Sequence, residues 1–98
     1  MTRIISGEFR GRRIKVPESG TRPTADRVRE AIFSSLVSLD AIEDLNVLDL
    51  YAGSGALGIE AISRGAKAAL FVDSNKSACA TITSNLKELE ISANVSEV

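Results

Sequence analysis

The sequence contains no histidine and a single cysteine, Cys79, in 98 residues. Without imidazole, histidine-based triads are excluded and the usual zinc-ligand spacings cannot be assembled. One thiol excludes an internal disulfide. No apolar run approaches the roughly 18 residues of a membrane-spanning helix. The opening "MTRIISGEFRGRR" lacks the apolar stretch of a secretory signal, so a cytoplasmic address is expected. Proline is scarce as well. Pro17 and Pro23 both fall in "VPESGTRP", with Gly20 between them, which reads as a loop. No internal repeat or low-complexity segment is present.

What remains is ordinary for a folded chain. Hydrophobic residues at 44% and charged residues at 26% separate it from disordered sequences. The length suits one small domain or part of a larger one, with a modest core. The net charge of −1 conceals a split. Residues 1–29 carry Arg3, Arg10, Arg12, Arg13, Lys15, Arg22, Arg27 and Arg29 against Glu8, Glu18 and Asp26, a net of +5, which leaves −6 for the remainder. A basic front on an acidic body suits a phosphate backbone as partner, although a solvated charged hairpin would look the same.

Three units follow one another. "RII" and "RIKV" are short β-prone runs around "SGEFRGR", and they predict a hairpin turning near Arg10–Gly11 with arginines along its rim. A helix is expected from about Ala25 to Leu39. Thr24 would be its N-cap and Asp26 would sit in its first turn. Val28, Ile32, Leu36 and Leu39 form its apolar stripe, Phe33 widens it, and Arg27 and Arg29 point away. The third unit starts with "NVLDLYA", an almost continuously apolar strand of the kind found in parallel sheets covered on both faces. A helix over Leu57–Arg64 ending at Gly65, a strand "AALFVD", a helix over Ser77–Leu89 and a strand starting at "NVSEV" complete a β-α-β-α-β order. Ala78, Ile82, Leu86 and Leu89 share one face of the last helix. On such sheets, ligands sit at the carboxyl ends of the strands.

The stretch "VLDLYAGSGALGIEA" holds Gly53-x-Gly55-x-x-Gly58, the spacing of a dinucleotide fingerprint. Glycines there allow a sharp turn and close approach to a ligand, and the following helix N-terminus would offer free N–H groups. Asp73, closing the next strand, suits a ribose in NAD or in any other adenosine-bearing cofactor. Asp49 is different. Four residues before Gly53, it sets a negative charge at the turn, which repels a pyrophosphate and attracts an amine-bearing or cationic ligand. S-adenosylmethionine has an adenosine, a sulfonium and an α-amino group but no phosphate, and it is favoured over NAD. A plain capping role for Asp49 remains open.

"DLYAGSGALGIEAISRGA" resembles the first motif of class I methyltransferases. With "RIISGEFRGRRIKVP" and "TRPTADRVREAIFSSL", it resembles more narrowly the bacterial RsmD-type family, which methylates the N2 amine of a guanine in 16S ribosomal RNA. The resemblance implies an α/β fold. An N-terminal hairpin and helix would precede the first half of a Rossmann-like methyltransferase parallel sheet, divided as residues 1–22 (hairpin and loop) and 23–98 (cofactor-binding part). It further implies that Asp49, Tyr51, Ala52, Gly53, Ser54 and Gly55 surround the methionine part of S-adenosylmethionine. Asp73 would bind its ribose, Ser74 and Asn75 would lie near the adenine, and Arg22, Pro23 and Thr24 would close over it. "TRPT" also reads as a proline turn and N-cap. Arg3, Arg10, Arg12, Arg13 and Lys15 would contact RNA, as part of 16S RNA or a small-subunit particle.

The family catalyses with an Asp/Asn-Pro-Pro-Tyr/Phe motif at the end of its fourth strand, and no Pro-Pro occurs here. The expectation is an N-terminal half that holds most of a cofactor site, no catalytic residue and no metal site. It would be inactive alone and would leave an apolar sheet edge and face open to self-association. A non-catalytic cofactor- or RNA-binding module and an NAD-dependent oxidoreductase fragment stay as alternatives.

Overall fold

In the computed structural model, which describes residues 2–16 and 26–98, an antiparallel hairpin stands beside a three-stranded parallel sheet. The hairpin joins β1 (Thr2–Arg3) to β2 (Arg13–Ile14), with Thr2 opposite Ile14 and Arg3 opposite Arg13. The chain reverses over Ser6–Gly11, earlier than the expected Arg10–Gly11, because Gly7 as well as Gly11 takes a positive φ. Helix α1 (Asp26–Ser38) follows, and then β3 (Asn46–Leu50), α2 (Ala56–Ser63), β4 (Ala68–Asp73), α3 (Lys76–Glu88) and β5 (Asn94–Glu97). The order β3-β4-β5, with Leu48 opposite Leu70 and Phe71 opposite Val95, is the expected β-α-β-α-β sheet. Arg22, Pro23 and Thr24, the expected N-cap among them, lie outside the described residues, as does the side chain of Asp26.

Alternation along the strands decides where the core forms. Ala69 and Phe71 of β4 turn inward, as Ile4 and Ile14 do from the hairpin, and meet Ala56 and Ile59 of α2 and Ile82, Leu86 and Leu89 of α3. The opposite sheet face is open: Leu48 is 57% exposed and Leu50 56%. The described helices therefore cover one face of the sheet rather than both.

Helix α1 departs from its expected face. Val28, Ile32 and Leu39 are exposed, whereas Arg29 and Phe33 are buried. The helix is rotated because its partners are long-range ones. Phe33 packs with Ile42 and Ala61, beside Leu36, and the Arg29 guanidinium donates from Nη2 to the Arg3 carbonyl at 2.7 Å. A charge-assisted bond to a backbone carbonyl offsets the desolvation that makes arginine a surface residue elsewhere.

The hairpin is bound to the body by side chains that accept its backbone N–H groups. Glu60, fully buried on α2, accepts from Ile5 N at 2.9 Å and Ser6 N at 3.1 Å, and pairs with Arg64 Nε at 2.9 Å. Ser63 Oγ accepts from Phe9 N at 2.9 Å and donates to the Ser6 carbonyl at 2.6 Å. The Arg64 guanidinium lies 5.0 Å from the centre of the Phe33 ring, which ties α1 to the same end of α2.

Gly58 sets how closely α2 approaches the sheet. A Cβ at Gly58 would clash with the edge of the Phe71 ring. Glycine to alanine within a helix ordinarily stabilises by about 1 kcal/mol, but overpacking a core costs about 1–3 kcal/mol. Gly58→Ala is therefore expected to lower the urea midpoint. A midpoint at or above that of the unchanged chain would show that α2 can move off β4 freely.

Candidate cofactor site

Strand β3 ends in a backbone conformation that its sequence does not favour. Tyr51 has φ 56, a strained value for a residue with a bulky side chain, and its side chain is 90% exposed. The chain then turns through Gly53 (φ 61) and Gly55 (φ 82) into α2. Positive φ at these two positions is the physical requirement behind the glycine spacing. Ala52, Gly53, Ser54 and Gly55 are all buried, so the turn approaches any ligand through its backbone.

The N–H groups of this turn are largely taken. Gly53 N donates to Asp73 Oδ2 at 2.9 Å and Gly55 N to the Ala52 carbonyl at 2.8 Å. Ala56 N donates to Ser54 Oγ at 3.3 Å and Gly58 N to Asp49 Oδ2 at 3.0 Å. The expectation of free N–H groups at the start of α2 is thus corrected at Ala56 and Gly58. The anion that a helix N-terminus attracts is supplied from within, by the Asp49 carboxylate. Asp49 therefore does cap the helix, and it does so with its charge buried beneath the turn.

Asp49 lies on the inward face of β3, opposite Phe71, and is 6% exposed. Burial pushes its pKa up to about 6; the Gly58 N–H bond works in the opposite direction, and the neighbouring charge of Asp73 adds to the rise. Asp73 closes β4. Its second oxygen accepts from Asn75 N at 2.8 Å. Asn75 is the N-cap of α3, its Oδ1 accepting from Ala78 N at 3.0 Å.

A cleft of about 330 Å³ opens at the carboxyl ends of the strands, lined by Leu50, Tyr51, Val72, Asp73, Ser74 and Val98. The structure thus brings Tyr51, Asp73 and Ser74 together at the buried turn from Ala52 to Gly55, whereas Asp49 lines a separate cleft with Phe33, Leu36 and Leu57. These groups suit an adenosine-bearing ligand without phosphate: a carboxylate for ribose hydroxyls, apolar walls, and a helix start whose Gly58 N–H is already taken by the Asp49 carboxylate. Of the basic residues expected to meet RNA, Arg3, Arg10, Arg12, Arg13 and Lys15 are all exposed on the hairpin. Arg3 and Arg10 line a separate cleft with Glu30 of α1.

Sequence reasoning missed Glu60, Ser63 and Asn85, which fix the hairpin. A signal existed for Glu60, a charge inside the otherwise apolar "ALGIEAIS", and for Asn85, a polar residue on the face formed by Ile82, Leu86 and Leu89.

The raised pKa of Asp49 has a measurable sign. Between the ordinary value of 3.8 and about 6, the folded chain holds a proton that the unfolded chain has released, so this group's contribution falls as pH rises through that window. The full cost, on the order of 2–3 kcal/mol, is present at pH 7. Asp49→Asn keeps an oxygen for Gly58 N–H without the charge. Its stability gain over the unchanged chain should be largest at pH 7 and shrink toward pH 4 in denaturant titrations. A difference that does not change with pH would mean Asp49 is not buried as a charge.

Residues 2–98 match the family described as conserved hypothetical protein 95. "Ribosomal RNA small subunit methyltransferase D" of Escherichia coli (strain K12) is 46% identical over 89 residues, 90% of this chain and 44% of that protein. "Putative rRNA methyltransferase YlbH" of Bacillus subtilis is 48% identical over 90 residues, 91% of this chain and 48% of that protein. This chain spans about half the length of the curated relatives it matches. Among solved structures, the putative methyltransferase yhhF from Escherichia coli superposes with a TM-score of 0.88 at 43% identity, over 99% of this chain and 52% of that one. The putative RNA methyltransferase PH1948 from Pyrococcus horikoshii gives 0.78 at 27% identity, over 86% of this chain and 44% of that one. The fold is the one expected, a hairpin and helix before the opening strands of a class I methyltransferase sheet. The chain belongs to the conserved hypothetical protein 95 family, the family of the RsmD-type methyltransferases.

Proposed function

We propose that this chain is the cofactor-holding, N-terminal part of an S-adenosylmethionine-dependent rRNA methyltransferase that acts on the N2 amine of a guanine in 16S RNA. The observation that carries the cofactor is the Asp49 carboxylate on the N-terminal N–H of α2 at Gly58. A dinucleotide would set its pyrophosphate against that buried charge and against Asp73. The relatives named as ribosomal RNA methyltransferases support the RNA substrate.

In this reading Asp49, Tyr51, Ala52, Gly53, Ser54 and Gly55 face the methionine part and its ammonium. Asp73 accepts from the ribose hydroxyls, and Ser74 and Asn75 border the adenine. Arg22, Pro23 and Thr24 close the site from the N-terminal side. Bound there, S-adenosylmethionine supplies an electrophilic methyl group on its sulfonium. The chain's own part is to hold that group in place and exclude water behind it, since alignment dominates such a transfer. Arg3, Arg10, Arg12, Arg13 and Lys15 contact the RNA backbone. The acceptor amine needs oxygens to hold its N–H groups, and the Asp/Asn-Pro-Pro-Tyr motif that provides them in the family is not in these residues. The 98 residues alone are therefore inactive in this reading, and the apolar face around Leu48 and Leu50 makes them prone to self-association.

Calorimetric titration tests the cofactor. Each charge-assisted bond from ribose to Asp73 is worth about 1.5–3 kcal/mol. Asp73→Ala is therefore expected to weaken S-adenosylmethionine by about ten- to a few-hundred-fold. Asp49→Asn should weaken it too and leave NAD no worse. Binding of NAD by the unchanged chain, with none of S-adenosylmethionine, would contradict the proposal.

A further inference from the structure

One buried side chain touches both ligand-facing parts of the molecule. Asn85 of α3 is 1% exposed. Its Oδ1 accepts from Lys15 N at 2.8 Å, and its Nδ2 donates to the Lys15 carbonyl at 2.9 Å and to the Ser54 carbonyl at 3.0 Å. The orientation of the amide follows from these partners, because only its nitrogen can face two carbonyl oxygens. To Lys15 it behaves as a neighbouring strand would, satisfying N–H and C=O together just beyond β2. To the glycine turn it is one of two clamps on a single peptide group. The Ser54–Gly55 peptide has its C=O on Asn85 and its N–H on the Ala52 carbonyl at 2.8 Å. That peptide cannot rotate without breaking the bond to Asn85.

No common alternative meets these demands. Aspartate would set a negative charge against two carbonyls, and leucine would leave three backbone groups without this partner. The core does not require a carboxamide at this point, since Ile82 and Leu86 beside it are apolar. What requires it is the junction between hairpin and turn.

We infer that Asn85 is a positioning residue that couples the two sites: occupancy of the glycine turn orders the chain at Lys15, and so presents the basic hairpin in one pose. The inference rests on the cofactor and RNA reading above. Coupling of this kind is reciprocal, so whatever cofactor does for RNA affinity, RNA does for cofactor affinity. Ser63 provides the control. It holds the hairpin at Ser6 and Phe9, from the far end of α2, and has no bond to the turn.

The experiment reads hydrogen exchange at the Lys15 amide with and without S-adenosylhomocysteine, and the affinity of a small-subunit rRNA transcript under the same two conditions. In the unchanged protein, S-adenosylhomocysteine should slow Lys15 exchange and tighten RNA by about fivefold or more. Asn85→Asp and Asn85→Ala should bring both ratios close to one, while Ser63→Ala keeps them. If the Asn85 variants do not fold, the exchange result in the unchanged protein decides alone. S-adenosylhomocysteine binding with Lys15 exchange unchanged would overturn the coupling and leave the cofactor reading standing. Ratios kept in a folded Asn85 variant, or lost equally in Ser63→Ala, would overturn it too. No binding of S-adenosylhomocysteine would remove the cofactor reading and this inference with it.

Discussion

A carboxylate buried beneath a helix N-terminus is costly, and here the cost fixes the geometry around it. Asp49 reaches across from β3 to the Gly58 N–H, which locks the start of α2 over the strand. The chain between them turns into α2 through positive φ at Tyr51, Gly53 and Gly55. Gly58 in turn has to lack a side chain, because Phe71 stands where its Cβ would be. The strain at Tyr51, the glycine spacing and the raised pKa of Asp49 are consequences of one arrangement. That arrangement decides what can bind, since a turn whose helix end is already neutralised has little to offer a phosphate.

The hairpin is joined to this arrangement by polar bonds rather than by apolar area alone. Ile4 and Ile14 contribute to the core, but register and orientation come from Glu60, Ser63 and Asn85, each buried and each bonded to hairpin backbone. Apolar contacts are tolerant of sliding; a carboxylate that accepts two specific N–H groups is not. The hairpin, from Thr2 to Lys15, is therefore set in register against α2 and α3, with Lys15 joined through Asn85 to the glycine turn.

Much of this was legible from residues. Strand β4 lies where "AALFVD" places it, and the bounds of α2 and α3 each fall one residue before those expected. Local signals suffice there: alternation, apolar spacing and a glycine stop at Gly65. The orientation of α1 was not legible. Its most regular apolar stripe, Val28–Ile32–Leu36–Leu39, is not the one that is buried, because the Arg3 carbonyl draws Arg29 inward and the ring of Phe33 finds Ile42 and Ala61. Nor were the roles of Glu60 and Asn85. A periodicity shows that a polar residue sits on an apolar face but not which distant backbone it meets, and Asn85 meets one 70 positions away. At the site itself, the sequence places Asp49 and Asp73 near the turn, yet their bonds to Gly58 and Gly53 appear only in three dimensions.

In the proposed function, the buried charge of Asp49 acts on the ammonium and sulfonium of the bound ligand. With a pKa of about 6, its carboxyl is close to half protonated at pH 6. An ammonium or sulfonium placed beside it lowers that pKa and expels the proton, whereas a phosphate raises it and draws a proton in. Calorimetry of S-adenosylmethionine binding at pH 6, in two buffers of different ionisation enthalpy, reads the sign directly. Release of a substantial fraction of a proton per ligand bound is expected, abolished in Asp49→Asn. Proton uptake, or heats independent of the buffer, would contradict it.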